Sequence, residues 1–243
     1  FLSPMIVVWM VSTSGDITWA YWALAILSLP GAVWLSRLSS PSAPASTEGE
    51  SSTVVNPWLV PLIALFLALY VGAEIGFAGW IYTYTVELGL GGATAAAYLT
   101  SGFWGAFTAG RLLAIPLAAR LRPRSVLLLD FAGALTSLAV LLLWPASTVA
   151  AWAGTLGMGL SIASIFPTMI SMAERRLAIT GRVTGWFFVG ASLGGMSLPW
   201  LIGQLFESIG PQVTMSVILI DLLVAFAILV VLALIPARVG KGE

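Results

Sequence analysis

An isolated carboxylate, Glu74, lies in the middle of a long apolar run, within Gly72-Ala73-Glu74-Ile75-Gly76. If that run crosses a lipid bilayer, burying the charge costs several kcal/mol unless the carboxylate is paired, hydrated or protonated. A carboxylate in this position is typical of a site that binds a small cation, a proton or a polar solute. A structural hydrogen bond to a neighbouring helix is the alternative, and we favour the binding role.

Two aromatic side chains, Trp80 and Tyr82, follow Glu74 along the same run. Aromatic faces can pack against the C–H groups of sugar rings, and the indole N–H and the phenol can hydrogen-bond to hydroxyls. These residues therefore indicate one wall of a sugar-binding cavity. The alternative is a belt of aromatic residues at the membrane surface, and for Tyr84 we favour the belt.

Further uncharged polar side chains occur in later apolar runs. Ser161 and Ser164 precede Pro167, and Gln204 lies near the end of another run. Proline bends a helix and frees a backbone carbonyl, which suits the moving wall of a cavity. We expect both serines and Gln204 to reach a bound solute. Serines bonded to their own helix, and a glutamine that faces water, are equally compatible with the sequence.

Arg111 and Asp130 are two more charges inside apolar runs. Arg111 precedes Arg120 by nine residues, which is about 13 Å along a helix, and snorkelling covers only part of that depth. Asp130 lies about one and a half turns into the next run. The pair predicts either a gate that locks two helices near one membrane face or a static salt bridge, with equal weight.

The composition places the chain in a membrane. Of its 243 residues, 59% are hydrophobic and 8% are charged, whereas a soluble domain carries about 25% charged residues. The net charge of zero gives no basis for nucleic-acid binding. The sequence has no cysteine and no histidine, which is the commonest general base. We therefore predict no catalytic residue, no metal site, no enzyme activity and no cofactor other than a coupling ion.

Hydropathy predicts an all-α membrane protein. Residues 1–35 hold one partial and one full membrane helix, the end of a truncated N-terminal bundle, and residues 36–57 form a cytoplasmic linker rich in Ser, Pro and Thr. Residues 58–236 form a six-helix bundle, and residues 237–243 form a cytoplasmic tail. The spans of that bundle are predicted at 58–85, 95–119, 125–144, 149–172, 183–206 and 213–235. Because the first run is too short to cross a bilayer, we expect the chain to be a fragment.

The basic residues predict the orientation. All ten Lys and Arg residues lie at alternate connectors or the adjoining helix ends, whereas the opposite connectors carry Asp16, Glu87 and Glu207. Positive charge favours the cytoplasmic face, so three arginines are predicted topology anchors: Arg120, Arg122 and Arg124. We expect a multi-pass protein of the plasma membrane with its C-terminus in the cytoplasm and the lipid bilayer as a partner.

Residues 58–235 resemble the C-terminal six-helix half of the twelve-helix major facilitator superfamily. The connector that ends in Arg120–Arg124 lies where that superfamily repeats a basic loop between helices eight and nine. Further motifs resemble the sodium-dependent glucose transporter / facilitator-domain type 4 group, which is related more distantly to fucose permeases: Gly72-Ala73-Glu74, Gly79-Trp80-Ile81, Phe103-Trp104-Gly105, Gly110-Arg111-Leu112-Leu113-Ala114-Ile115-Pro116 and Phe166-Pro167-Thr168-Met169.

The resemblance implies a secondary active transporter that moves a small polar solute, a hexose, by alternating access, with sodium or protons as the coupling ion. It also implies a partner, the N-terminal half of the same protein, most of which we expect this chain to lack. The alternative functions are an intramembrane enzyme and a non-transporting membrane scaffold or sensor. The absence of histidine and cysteine counts against the enzyme.

Overall fold

A computed structural model of the protein describes residues 3–38 and 57–235, and within these residues every regular element is an α-helix. The predicted all-α membrane fold is confirmed, because seven of its spans are long and apolar enough to cross a bilayer. Most of the predicted linker and the whole predicted tail lie outside the described residues. The described helices divide into two units, before and after the linker.

The first unit contains α1 (Ser3–Ser14) and α2 (Thr18–Ser36), which pack against each other. Gly15 turns the chain between them with a φ of 72°. Asp16 then receives two hydrogen bonds at its Oδ1, from the Thr18 backbone N–H at 2.9 Å and the Thr18 hydroxyl at 2.8 Å. Because both bonds favour the ionised form, they lower the pKa of Asp16.

The second unit contains the six spans that follow the linker. They begin and end within about three residues of the predicted positions, and one of them is broken into two helices. In order, the helices are α3 (Leu59–Glu87), α4 (Ala93–Arg120), α5 (Pro123–Leu143), α6 (Thr148–Ile162), α7 (Ile165–Glu174), α8 (Gly181–Ile209) and α9 (Val213–Leu234).

Helix α3 is the centre of this unit, because it packs against α4, α7, α8 and α9. Large side chains along its length are buried in these contacts, among them Phe66, Tyr70 and Phe77. Tyr84 is also buried, with 1% of its surface exposed. The expectation that Tyr84 belongs to a surface belt is therefore wrong, since its ring is enclosed by neighbouring helices.

Two glycines bring α8 against the backbone of α3. A Cβ built on Gly190 or Gly194 would lie less than 3.0 Å from backbone atoms of Ala64 or Ala68, respectively. Side chains at these positions would therefore separate the helices. Small residues that allow close backbone approach are the usual means of packing helices in lipid, where the hydrophobic effect between helices is weak.

The fourth span is broken at Ala163 and Ser164, between α6 and α7. Pro167 explains the break, because proline has no N–H to donate to the carbonyl of Ala163 and its ring collides with that carbonyl. The chain resumes helical hydrogen bonding from the Thr168 N–H to the Ser164 carbonyl, at 3.0 Å. Above the break α6 packs along both α4 and α5, whereas below it α7 packs on α5 and α3.

One end of the bundle carries most of its arginines, and we call it the basic end. There, Arg124 at the start of α5 and Arg176 after α7 donate to the carbonyls of Ala233 and Leu232, the last turn of α9. Cations at a helix C-terminus satisfy carbonyls that have no intrahelical donor. Burial, and secondarily the charge of Arg124, lower the pKa of Arg176.

The close approach of α3 and α8 predicts the effect of replacing Gly194. Gly194→Ala should lower the free energy of unfolding by about 1–3 kcal/mol, because the added methyl group meets the Ala68 backbone. Gly185→Ala on the same helix is the matched control, since a Cβ there has no neighbour within 4 Å. Thermal unfolding in detergent measures both. Equal stability of the two variants would contradict the packing described here.

Candidate solute and ion site

Glu74 lies near the middle of α3, about 22 Å along the helix from its start at Leu59. Its carboxyl group is partly buried and interacts with the hydroxyl of Tyr70, one turn earlier on the same helix. Residues four apart on a helix lie on the same face, so the phenol and the carboxyl group share one surface of α3. That surface contacts α7 at the helix break.

Tyr70 connects Glu74 to the helix break. Its ring is fully buried, and its hydroxyl donates a hydrogen bond of 3.0 Å to the carbonyl of Ile162, the last residue of α6. The ring also lies 6.4 Å from that of Phe166 on α7, measured between centroids. A buried carbonyl at the end of a helix needs a donor, and in lipid water is not there to provide one. Tyr70 supplies that donor.

Arg111 brings positive charge to this region from α4. Its guanidinium lies over the ring of Phe107, one turn earlier, at 4.8 Å from the centroid. It also interacts electrostatically with the Glu74 carboxylate and the Tyr70 hydroxyl. The side chain is exposed on the bundle surface, so the cation-π contact holds it without burying its charge.

Asp130, on α5, is 9% exposed and accepts a 2.5 Å hydrogen bond from the Ser164 hydroxyl at the helix break. Within the described part of the chain, no ion pair joins Asp130 to Arg111. Instead of the predicted contact with each other, Asp130 is hydrogen-bonded to Ser164 and Arg111 lies over Phe107. Their role as a gate between conformations stays a prediction.

Three helices and the break between α6 and α7 thus contribute to one polar cluster, which we call the break cluster: Tyr70, Glu74, Arg111, Asp130 and Ser164. The charges of Glu74, Arg111 and Asp130 all act on the Tyr70 hydroxyl. A carboxyl group in such a setting can bind a proton or a small hard cation, since oxygen atoms are the ligands that such cations prefer. The guanidinium can neutralise the carboxylate when no cation is bound.

Trp80 and Tyr82 lie further along α3, away from the break cluster. The Trp80 indole donates to the Pro199 carbonyl at 3.1 Å, and its ring lies 5.0 Å from that of Phe206. Both contacts join α3 to α8, so the indole N–H is already engaged in helix packing. Tyr82 is 38% exposed and its phenol is accessible from the bundle surface.

The remaining predicted ligands differ in their surroundings. Ser161 faces Gly133 on α5, so its side chain lies between two helices. Gln204 is exposed on α8. Of these predicted ligands, Ser164 therefore belongs to the break cluster, whereas Gln204 does not. The three predicted anchors, Arg120, Arg122 and Arg124, are exposed at the basic end.

Tyr70 and Phe107, which hold Glu74 and Arg111, were not predicted from the sequence. A signal for both was present, because each aromatic residue precedes its charged partner by four positions and so shares its helix face. Asp221, a carboxylate of α9 inside the last apolar run, is 7% exposed. Among the described residues its Oδ2 has no hydrogen-bond partner.

Comparison with curated proteins gives relatives of the group that the motifs resemble. Sodium-dependent glucose transporter 1A of Mus musculus is 35% identical over 207 residues, which cover 82% of this chain and 48% of the relative. Sodium-dependent glucose transporter 1 of Danio rerio is 43% identical over 136 residues, 56% of this chain and 23% of the relative.

A third relative, major facilitator superfamily domain-containing protein 4A of Homo sapiens, is 35% identical over 148 residues, 60% of this chain and 29% of the relative. The chain spans about half or less of the length of these relatives. The sequence profile of the Major Facilitator Superfamily matches residues 1–199. That match covers most of the chain, and with the membrane-spanning helices described above it shows that the chain belongs to the Major Facilitator Superfamily.

Proposed function

We propose that the full-length protein is a secondary active transporter that carries a hexose across the plasma membrane by alternating access. Sodium ions or protons provide the driving force, and Glu74 is the residue that binds them. The observation that carries the proposal is the chain of contacts from Glu74 through Tyr70 to the Ile162 carbonyl at a helix break. The relatives support the solute and the ion, since two of those described are named sodium-dependent glucose transporters.

A transporter must couple ion binding to movement, and the Tyr70 contact offers a means. In the structure the Tyr70 hydroxyl donates to Ile162, while its oxygen lies beside Glu74. A cation or proton on Glu74 changes the charge next to that oxygen and so changes the strength of its bond to the carbonyl. Because α7 begins only three residues after Ile162, the bond controls how the segment below the break is held.

Arg111 and Asp130 form the proposed gate at the basic end, which we place in the cytoplasm. In this structure Ser164 holds Asp130 and Phe107 holds Arg111. We propose that the two charges meet in a different conformation, after α7 moves and withdraws the Ser164 hydroxyl from Asp130. The exchange keeps the buried carboxylate hydrogen-bonded in both conformations, which avoids the cost of leaving it unpaired.

The sugar-binding wall is proposed along α3, beyond Glu74. Tyr82 is accessible for stacking against a sugar ring, and Trp80 supports the wall through its contacts with α8. Ser161 and Gln204 remain secondary candidates for hydroxyl contacts. Residues of the other half of a full-length transporter would complete this site.

The first prediction concerns Glu74. Glu74→Gln in the full-length protein should lower ion-driven hexose uptake at least tenfold, because the amide cannot bind a proton or balance a cation's charge. Glu87→Gln, at the exposed end of the same helix, is the matched control. Uptake and counterflow of labelled hexose are measured in proteoliposomes, with and without a sodium or proton gradient. Wild-type uptake with unchanged ion dependence in Glu74→Gln would exclude Glu74 as the coupling residue.

The second prediction concerns Tyr70. Tyr70→Phe removes the donor to Ile162 and leaves a buried carbonyl unsatisfied, at a cost of about 1–3 kcal/mol. Uptake should fall about tenfold and its dependence on the ion concentration should weaken. Tyr84→Phe on the same helix keeps a buried ring outside the break cluster and serves as the control. If both variants lose stability equally and keep their ion dependence, Tyr70 has only a packing role.

The third prediction concerns the gate. Arg111→Asp and Asp130→Arg should each reduce transport, and the double variant should recover part of it, because the opposite charges are restored in exchanged positions. The combination of Arg111→Asp with Glu74→Arg is the comparison, since Glu74 also interacts with Arg111. Counterflow measures all four. Recovery only in the Glu74 combination would assign the gate charge to Glu74 rather than to Asp130.

A further inference from the structure

A cavity of about 410 Å³ lies between α4, α5 and α7 at the basic end of the bundle. It begins beside the break cluster, at Ser164, and reaches Arg175 just after the end of α7. That distance corresponds to about 16 Å of helix axis at 1.5 Å per residue. The cavity lies where α7, below the break, packs on α5 and α3 and separates from α4, whereas α6 above the break packs along both α4 and α5.

One wall of the cavity is a row of polar side chains on α7. Ser164, Thr168, Ser171 and Arg175 recur at intervals of four, three and four residues, and all of them line the cavity. Such spacing places them on one face of the helix. The hydroxyl of Ser164 is bonded to Asp130, so the row offers the hydroxyls of Thr168 and Ser171 followed by the guanidinium of Arg175.

A second arginine lines the opposite wall. Arg111 lines the cavity from α4, at the level of the helix break, because the preceding Gly110 packs against Leu160 and Ala163. The two arginines thus stand at opposite ends of the α7 row. An anion near Thr168 and Ser171 would be about 8 Å along the axis from each of them, a distance that long, extended side chains can cover.

The described residues that line the cavity carry positive charge only. None of the described residues that line it is acidic, and neither Arg111 nor Arg175 forms an ion pair within residues 3–38 and 57–235. Asp130, the nearest carboxylate in the break cluster, is turned to Ser164 and buried behind it. The guanidinium groups of Arg111 and Arg175 and the hydroxyls of Thr168 and Ser171 form a typical donor set for a phosphate, which has enough oxygen atoms to accept from all of them.

The remaining wall is apolar. It consists of small and aliphatic residues of α4 and the start of α5, among them Ala114, Ile115, Ala118 and Val126. A ligand that fits this space therefore carries a phosphate-type group and can present an apolar part to α4. A free hexose has no charge that would use the two guanidinium groups, so the cavity is chemically distinct from the proposed sugar wall near Tyr82.

We propose that this cavity binds a phosphate-type anion, supplied either by the headgroup of an anionic lipid or by a free phosphate compound. Arg175, Ser171 and Thr168 bind the anion from α7, and Arg111 binds it from α4. Binding therefore places an anion beside the break cluster. The anion then interacts with the Arg111 guanidinium, which also interacts with Glu74.

The test is a thermal-unfolding titration of the purified full-length protein in an uncharged detergent, at constant ionic strength. The probes are inorganic phosphate and dihexanoyl phosphatidic acid, with dihexanoyl phosphatidylcholine as the reference that has the same tails and no net charge. We expect a saturable rise in Tm with phosphatidic acid. A similar rise with inorganic phosphate would identify a free anion as a sufficient ligand, and a rise with phosphatidic acid alone would identify a lipid headgroup.

The variants separate this cavity from general attraction to the basic end. Arg175→Gln should weaken binding at least about tenfold, the usual cost of losing a charge-assisted hydrogen bond, and Ser171→Ala by several-fold. Arg120→Gln removes an exposed arginine outside the cavity and should bind as the wild type does. Ser171→Ala keeps the test valid if Arg175→Gln does not fold.

Three results would overturn the proposal: no rise in Tm with either anionic probe, an equal rise with phosphatidylcholine, or equal binding by Arg175→Gln, Ser171→Ala and Arg120→Gln. None of these measurements depends on transport. A protein that moves no hexose could therefore still bind phosphate here, and a hexose transporter could fail this test.

Discussion

The second unit depends on one constraint, that a backbone carbonyl inside a bilayer must have a donor from the protein itself. Pro167 breaks the fourth span and ends its first helix at Ile162, in a region without bulk water. The Tyr70 hydroxyl on α3 donates a hydrogen bond to the carbonyl of Ile162. The same phenol lies beside Glu74, so the residue that repairs the broken helix is also the neighbour of the buried carboxylate.

The repair works only if α3 is held firmly, and the glycines of α8 provide that support. Gly190 and Gly194 let the α8 backbone approach Ala64 and Ala68, within two turns of Tyr70. Dispersion contacts at such short range are the main stabilising term between helices in lipid. The closely packed α3–α8 pair therefore faces the broken α6–α7 span, and the break cluster lies where the two meet.

How far the sequence predicts this arrangement differs between the helices and the site. The spans followed from hydropathy because a bilayer imposes a length and an apolar composition on each helix, and the break was indicated by Pro167. The partners of Asp130 were not predictable in that way. Sequence spacing gives the depth of a charge along its own helix, whereas the contact of Ser164 with Asp130 depends on how α5 packs against the broken span.

For Trp80 too, the contacts of the side chain could not be predicted from its position in the sequence. Its type and its distance from Glu74 fit a ligand contact, but the indole N–H donates to the Pro199 carbonyl of α8. The carbonyl of Pro199 lies four residues before Gly203, whose lack of a side chain makes room for the indole ring. Trp80 therefore belongs to the closely packed α3–α8 pair.

Arg111 is the residue in which these features converge. Its guanidinium acts on Glu74 across the helix interface, lies over Phe107 and lines the cavity below the break. One guanidinium cannot fully neutralise two anions, so an anion in the cavity and an unoccupied Glu74 carboxylate would compete for Arg111. A cation or proton on Glu74 would remove that competition. If Glu74 binds the coupling ion and the cavity binds an anion, as proposed, the position of Arg111 makes the two binding events favour each other.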